Sequence, residues 1–348
     1  MATKAPLLPN DAALPVATPV SAVAQPIAQP VVPMGMPVGA PDTMVMGRTA
    51  HHWRDTLVST PGLLMRERVS LMQWLFGACE KRTSYAVGPY PMAAGGADVT
   101  QLHNHLDDEA FKASLAHGLF EVREDSTCCC RYFCHQNREL RLGMFAPRNN
   151  IPGDALDLEM QGGLGGLKWP EGETPTLQFF RPFKCSCPCF CCMLHPQTID
   201  TIDTASSASL GGTTMDWDCG LCALNFLAAC CCHPRLRYVV ADETGKPEYH
   251  VHVPLCFSSG CTNCCAPTCF NSVFTMPITS PGETTEIGSL QSHWPGCNVR
   301  GICCAGNANN NYAVVFPPHA SAEQKARLLS ALHLIDLNLF EQRGNQRN

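Results

Sequence analysis

The C-terminal segment constrains the fold of this chain more than any other. Ser321-x-x-Gln324 has the spacing of a capping box, and Pro317 and Pro318 stand just ahead of it. The run Leu328–Phe340 that follows is apolar on most sides, which predicts a helix over 321–341. A helix apolar nearly all round has to be enclosed by protein or by lipid. Spanning a bilayer takes about 20 predominantly apolar residues, and this run is shorter. It also carries His333, Asp336 and Asn338. One Asp at mid-membrane costs roughly 2.5–3.5 kcal/mol on insertion scales. The expectation is a helix buried in a protein core.

The segments upstream supply candidates for the enclosure. Phe179–Phe183, Arg237–Val240, Tyr249–Val253 and Tyr312–Phe316 are short β-prone runs, and Asp242-Glu-Thr-Gly245 punctuates them as a turn. Arg66–Gln73 alternates in part. Many short strands between turn signals predict a sandwich or barrel. Gln101–His117 reads as helical. The 348 residues suit two domains, or one large domain with tails. Prolines recur every few residues from Pro6 to Pro41, so 1–55 reads as a disordered tail and 56–343 as the folded domain. Within the tail, Pro6-Leu-Leu-Pro9 and Pro30-Val-Val-Pro33 have the PxxP spacing of SH3- or WW-type ligands, or serve as plain spacer.

Cysteine sets the chemistry. There are 23, an odd number, in clusters such as Cys128–Cys130 and Cys230–Cys232. The N-terminus has no unbroken apolar stretch of secretory type, so the thiols are expected to stay reduced. Neighbouring thiols are also poorly placed for bridging one another. Metal ligation, acylation and plain packing remain open. Cys185, Cys187, Cys189, Cys191 and Cys192 follow Arg181-Pro-Phe-Lys184, a mix of thiols, aromatics and basic residues suited to a membrane-facing loop. Acylation there would add about 0.8 kcal/mol per buried methylene. Cys261, Cys264, Cys265 and Cys269 have zinc-like spacing, and Cys219 with Cys222 could supply a second pair.

Other candidates have plainer readings. His250 and His252 share a strand face and are read as solvated or packed rather than as metal ligands; Asp107–Asp108 and Glu124–Asp125 are read as solvated turn residues. Gly162–Gly166 has neither the lysine of a phosphate loop nor the GxGxxG order. There is no GxSxG, HExxH or P-loop, so hydrolase and ATPase readings find no local support. A net charge of −6 weighs against nucleic acid as a partner and against docking on an anionic membrane by bulk charge alone.

Four blocks, taken together, resemble the phospholipid scramblase family. They are Glu124-Asp-Ser-Thr-Cys-Cys-Cys-Arg-Tyr-Phe-Cys134, Phe180-Arg-Pro-Phe-Lys-Cys-Ser-Cys-Pro-Cys-Phe-Cys-Cys192, Gly288-Ser-Leu-Gln-Ser-His-Trp-Pro-Gly296 and Leu334-Ile-Asp-Leu-Asn-Leu-Phe-Glu341. They occur in the family's order from about Leu63 to Glu341. The resemblance implies a tubby-like fold, a closed antiparallel β-barrel around a buried C-terminal helix. It implies ATP-independent, bidirectional movement of phospholipids between leaflets rather than chemical catalysis; an acylated, membrane-tethered adaptor without transport is the alternative. It further implies palmitoylation at Cys185, Cys187, Cys189, Cys191 and Cys192, and residence on the cytoplasmic face of the plasma membrane. The family also binds calcium through a short acidic segment. The corresponding stretch here has Asn307, Asn309 and Asn310 in place of aspartates, so weak or absent calcium binding is expected. A second departure is an insertion between Tyr90 and Leu119, spanning 91–118.

Overall fold

Twelve strands, each hydrogen-bonded to the next and the last to the first, close into one antiparallel barrel. This computed structural model describes residues 53–68, 82–91, 105–127, 138–147, 169–183, 196–216, 235–254, 266–297 and 311–340, all within one unit spanning 49–348. The expected tail, as far as residue 52, lies outside them.

The first four strands are β1 (Gly62–Glu67), β2 (Ser84–Pro89), β3 (Phe120–Asp125) and β4 (Leu140–Phe145). Next come β5 (Leu177–Arg181), β6 (Thr198–Asp203), β7 (Ala208–Asp216) and β8 (Arg235–Ala241). The last are β9 (Pro247–Pro254), β10 (Val273–Thr279), β11 (Glu286–His293) and β12 (Asn311–Val315). β12 closes the ring on β1, with Leu64 opposite Ala313 and Arg66 opposite Asn311. Closure leaves no strand edge unpaired. A strictly sequential antiparallel ring also has a simple consequence. Connections from odd to even strands all leave one rim, and those from even to odd strands leave the other.

The lumen is filled by a helix. A short α1 (Trp53–Ser59) precedes β1, α2 (Asp108–Leu115) lies between β2 and β3, and α3 (Ala322–Ile335) follows β12 and runs down the barrel. α3 continues as a π-helical turn over Asp336–Phe340. The capping box read from the sequence is formed: the Gln324 backbone N–H donates to Ser321 Oγ at 3.2 Å, and the Ser321 N–H donates to Gln324 Oε1 at 2.9 Å. All but two of the residues of α3 are buried, including Leu328, Leu332, Leu334 and Ile335 at 0% exposure. They meet the inward side chains of the strands, among them Leu63, Met65, Val122, Leu142, Phe179 and Met276. No helix among the described residues is long and apolar enough to cross a membrane. The helix expected to be sheathed by strands is sheathed by strands.

Buried polar groups fix the register of α3. The Lys325 ammonium donates to the carbonyls of Leu57 (2.7 Å), Val58 (3.1 Å) and Thr60 (2.9 Å) at the C-terminal end of α1, where a cation suits the helix dipole. Arg327 donates to the Leu210 carbonyl at 2.6 Å and pairs with Glu248. Thr213 and Ser330 hydroxyls lie 3.1 Å apart.

α2, from the insertion, lies on the outside of the barrel. Phe111 is 0% exposed and packs with Leu64 and Ala313 on the outer face of β1 and β12. Arg66, also outward on β1, pairs with Asp108 at 2.8 Å. Gly88 of β2 makes this approach feasible, because a Cβ there would stand 2.6 Å from the Ser114 carbonyl oxygen. With α3 inside and α2 outside, every residue of β1 is buried; of the partly alternating run Arg66–Gln73 only Arg66 and Glu67 fall in β1, and 69–73 lie outside the described residues.

Candidate functional site

The C-terminal end of α3 points at the odd-to-even rim and meets a buried polar cluster there. Asp336 accepts the hydroxyls of Tyr85 on β2 and Tyr312 on β12. Burial and the nearby charge of Glu67 push its carboxyl up to about 7, against the pull of the two phenols and of Arg138. One turn earlier, His333 lies 5.2 Å from each of the Tyr85 and Phe179 rings, and burial takes its imidazole down to about 3. At neutral pH the lumen therefore holds a neutral imidazole beside a carboxyl poised between its two forms. Beyond Asp336, Phe340 meets Phe274 and Tyr312 at centroid distances of 5.5 and 5.8 Å.

A second layer of charge sits across the same end. Burial alone would raise the Glu124 carboxyl. Arg138 at 3.1 Å, Ser126 at 2.6 Å and the Thr83 N–H at 2.8 Å hold it below the ordinary carboxylate range instead. Arg181 donates to the Arg138 carbonyl at 2.8 Å and to Gln197 Oε1 at 3.1 Å. Tyr238 is fully buried and its phenol is held well above the usual range. On the outer face, Arg68 and Arg123 each lie 2.9 Å from Glu121.

One member of each acid pair, Glu124 and Asp108, departs from its reading as a solvated turn residue, while Asp125 and Asp107 are exposed. Glu124 is 0% exposed within β3, while its neighbour Asp125 is exposed. Asp107 caps α2, accepting the Ala110 N–H at 2.8 Å, and Asp108 is the partner of Arg66. The cause is the same in both cases: a distant arginine buries with the carboxylate, and local sequence does not reveal such a partner. His250 and His252 are partly buried and stand edge to face at 6.2 Å. His252 is 3.1 Å from Thr279 Oγ1. Among the described residues no group of three metal-type ligands gathers.

The predicted site residues fall on three connections of one rim. Cys185, Cys187, Cys189, Cys191 and Cys192 lie outside the described residues, between β5 and β6. Cys261, Cys264 and Cys265 also lie outside them, between β9 and β10, where Cys269 is described and exposed. Asn307, Asn309 and Asn310 lie outside them too, between β11 and β12. All three connections leave the rim at which α3 ends. The sequence singled out Asp336 only as a polar interruption, and neither of its phenol donors was foreseen.

The family model described as "Scramblase" matches residues 172–342, from the approach to β5 through the end of the lumen helix. Phospholipid scramblase 1 of Mus musculus is 25% identical over 236 residues, 68% of this chain and 55% of the relative. Phospholipid scramblase 2 of Bos taurus is 23% identical over 231 residues, 66% and 60% of the two chains. Phospholipid scramblase 4 of Homo sapiens is 27% identical over 176 residues, 51% and 44%. The chain thus spans about half the length of the curated relatives it matches. No solved structure matches it.

Proposed function

From its place in the phospholipid scramblase family, supported by the match over 172–342 and by the curated relatives, we propose that this chain moves phospholipids between bilayer leaflets in both directions without ATP. It acts as a transporter-like protein rather than a chemical catalyst. The observation that carries the reading is that the family match takes in eight of the twelve strands, β5 to β12, together with the lumen helix, the element on which the fold is organised.

The attachment proposed is covalent. Thiols among Cys185, Cys187, Cys189, Cys191 and Cys192 take palmitoyl chains, and two or more chains give a stable anchor on the cytoplasmic face of the plasma membrane. The proline-rich tail offers PxxP segments to SH3- or WW-type partners. Zinc at Cys261, Cys264, Cys265 and Cys269 is a further proposal that elemental analysis of the purified protein decides. Calcium at Asn307, Asn309 and Asn310 is weak or absent for want of carboxylate charge.

One observation favours the second reading, a membrane-tethered adaptor. The lumen is packed with α3, so the described barrel encloses side chains where a headgroup path would have to run. A polar headgroup crossing hydrocarbon without partners costs roughly 2–7 kcal/mol for each unsatisfied group. Purified protein reconstituted into vesicles with a fluorescent phospholipid separates the readings. Dithionite bleaching beyond the outer leaflet supports lipid movement, and bleaching equal to that of empty vesicles leaves the adaptor.

A further inference from the structure

The 23 cysteines are distributed with complete asymmetry about the barrel. The six odd-to-even connections are 68–83, 126–139, 182–197, 217–234, 255–272 and 294–310, and every one of the 23 lies in them. The five even-to-odd connections (90–119, 146–176, 204–207, 242–246 and 280–285), the link 316–321 from β12 into α3, the twelve strands and the three helices hold none. Described strand ends anchor both sides of each connection, so the topology sends every cysteine-bearing connection out from one rim.

Charge divides the same way. The six cysteine-bearing connections carry seven Lys or Arg against three Asp or Glu; the opposite connections, with the link into α3, carry four against twelve. Arg68 and Arg138 are buried in ion pairs with Glu121 and Glu124, and without them five basic residues stand against three acidic, so one end is mildly basic and the other strongly acidic. Bulk charge, which disfavours an anionic surface, conceals the local field that decides orientation.

Exposed apolar side chains complete the pattern. Among the described residues the large exposed hydrophobics are Val58 at 63%, Phe183 at 59% and Phe270 at 90%. Phe183 and Phe270 lie in cysteine-bearing connections, beside Lys184 and Cys269 respectively, and Cys269 and Cys297 are exposed at the same rim. Phenylalanine rings next to basic residues and polarizable thiols suit insertion at the boundary of headgroups and acyl chains, whereas the opposite end would be repelled by anionic headgroups.

We infer that the cysteine-bearing rim is the membrane-docking face, and that the barrel stands end-on against an anionic lipid surface with Phe183 and Phe270 inserted and the acidic rim turned to the cytoplasm. This deepens the membrane reading above and rests on it. The palmitoyl chains proposed for Cys185–Cys192 would enter the bilayer from this face, and the tip of α3 would meet it too. Basic side chains capture the surface first, aromatic insertion and acyl chains then hold it.

The test uses the full chain, unacylated, with vesicles of phosphatidylcholine and phosphatidylserine. Amide hydrogen exchange is expected to slow in 182–197 and 255–272 on vesicle binding and to stay unchanged in 242–246 and 280–285. Phe183→Ser with Phe270→Ser is expected to weaken co-sedimentation by about tenfold, since each ring loses its apolar burial. Val58→Ser at the opposite rim should leave binding unchanged, and all three positions are exposed enough to spare folding. Protection at 242–246 and 280–285, or an equal loss with Val58→Ser, overturns the inference. Dithionite bleaching on the same vesicles keeps the two readings apart. Lipid movement with protection at the acidic rim sinks the docking face alone, and docking at the cysteine rim without lipid movement sinks the transport reading alone.

Discussion

Tyr312, the second residue of β12, donates its hydroxyl to Asp336, where the lumen helix loosens into a π-helical turn. With Tyr85 donating from β2, the end of the helix is tied to both neighbours of β1. The tie is pH-sensitive. Asp336 has an ordinary value of 3.8 and about 7 in the fold. Between those values the folded chain keeps a proton that the unfolded chain has released. Its contribution to stability is full below 3.8 and is lost as pH rises through 7. His333 runs the other way. From an ordinary 6.5 it falls to about 3, so its contribution is full above 6.5 and is lost as pH falls toward 3. The two offset each other in mildly acidic solution. Asp336→Asn removes one side of the balance. Denaturant unfolding should show the variant gaining on the parent by on the order of 2 kcal/mol from about pH 5 to pH 7, at ~1.4 kcal/mol per unit of pH. A difference that stays flat across that interval contradicts the assignment.

The apolar girth of α3 gives a larger effect. Leu332 is 0% exposed and belongs to the core shared by helix and strands. Leu332→Ala leaves a cavity that strands locked into a closed ring relax poorly to fill. Chemical denaturation should register a loss of about 2–5 kcal/mol. A loss below ~1 kcal/mol would mean that the barrel is not built on the helix.

The helix was the most legible part of the sequence because everything that defines it is local. Ser321 and Gln324 are three residues apart, and an all-round apolar run states its own need for enclosure. Tyr249–Val253 was legible as a strand for the same reason, since its alternation survives in β9. Glu124 and Asp108 were misread because their partners, Arg138 and Arg66, come from other elements and pair with them only once strands align. β1 hid its period because α2 covers its outer face. The gathering of cysteines at one rim was invisible for a different reason. Cysteines in six connections scattered along the chain become one feature only through the order of the strands.

The Glu124–Arg138 pair should behave as a buried ion pair does. Both side chains are almost wholly enclosed, at 0% and 1% exposure. Arg138→Ala leaves a buried carboxylate without its countercharge and should cost about 3–5 kcal/mol in thermal or denaturant unfolding. Adding Glu124→Gln to Arg138→Met removes both charges, and most of that loss should return. A double variant no more stable than Arg138→Ala would show that the arginine matters through the packing and hydrogen bonds of its side chain rather than through its charge.

Calcium offers a test of charge count as such. The stretch ahead of β12 presents Asn307, Asn309 and Asn310, which keep carbonyl oxygens for a hard cation but supply no negative charge. Affinity in oxygen-ligand sites is tuned strongly by the number of carboxylates, and an amide oxygen does not offset the cost of stripping water from the ion. The basic balance of the surrounding rim adds a repulsive field. Isothermal calorimetry on the full chain should therefore show no micromolar calcium binding. Changing Asn307, Asn309 and Asn310 to Asp together should strengthen binding at least tenfold, because the ligand charge rises. Micromolar binding by the parent chain, abolished by Asn309→Ala with Asn310→Ala, would mean that this site gains its affinity from geometry rather than from charge.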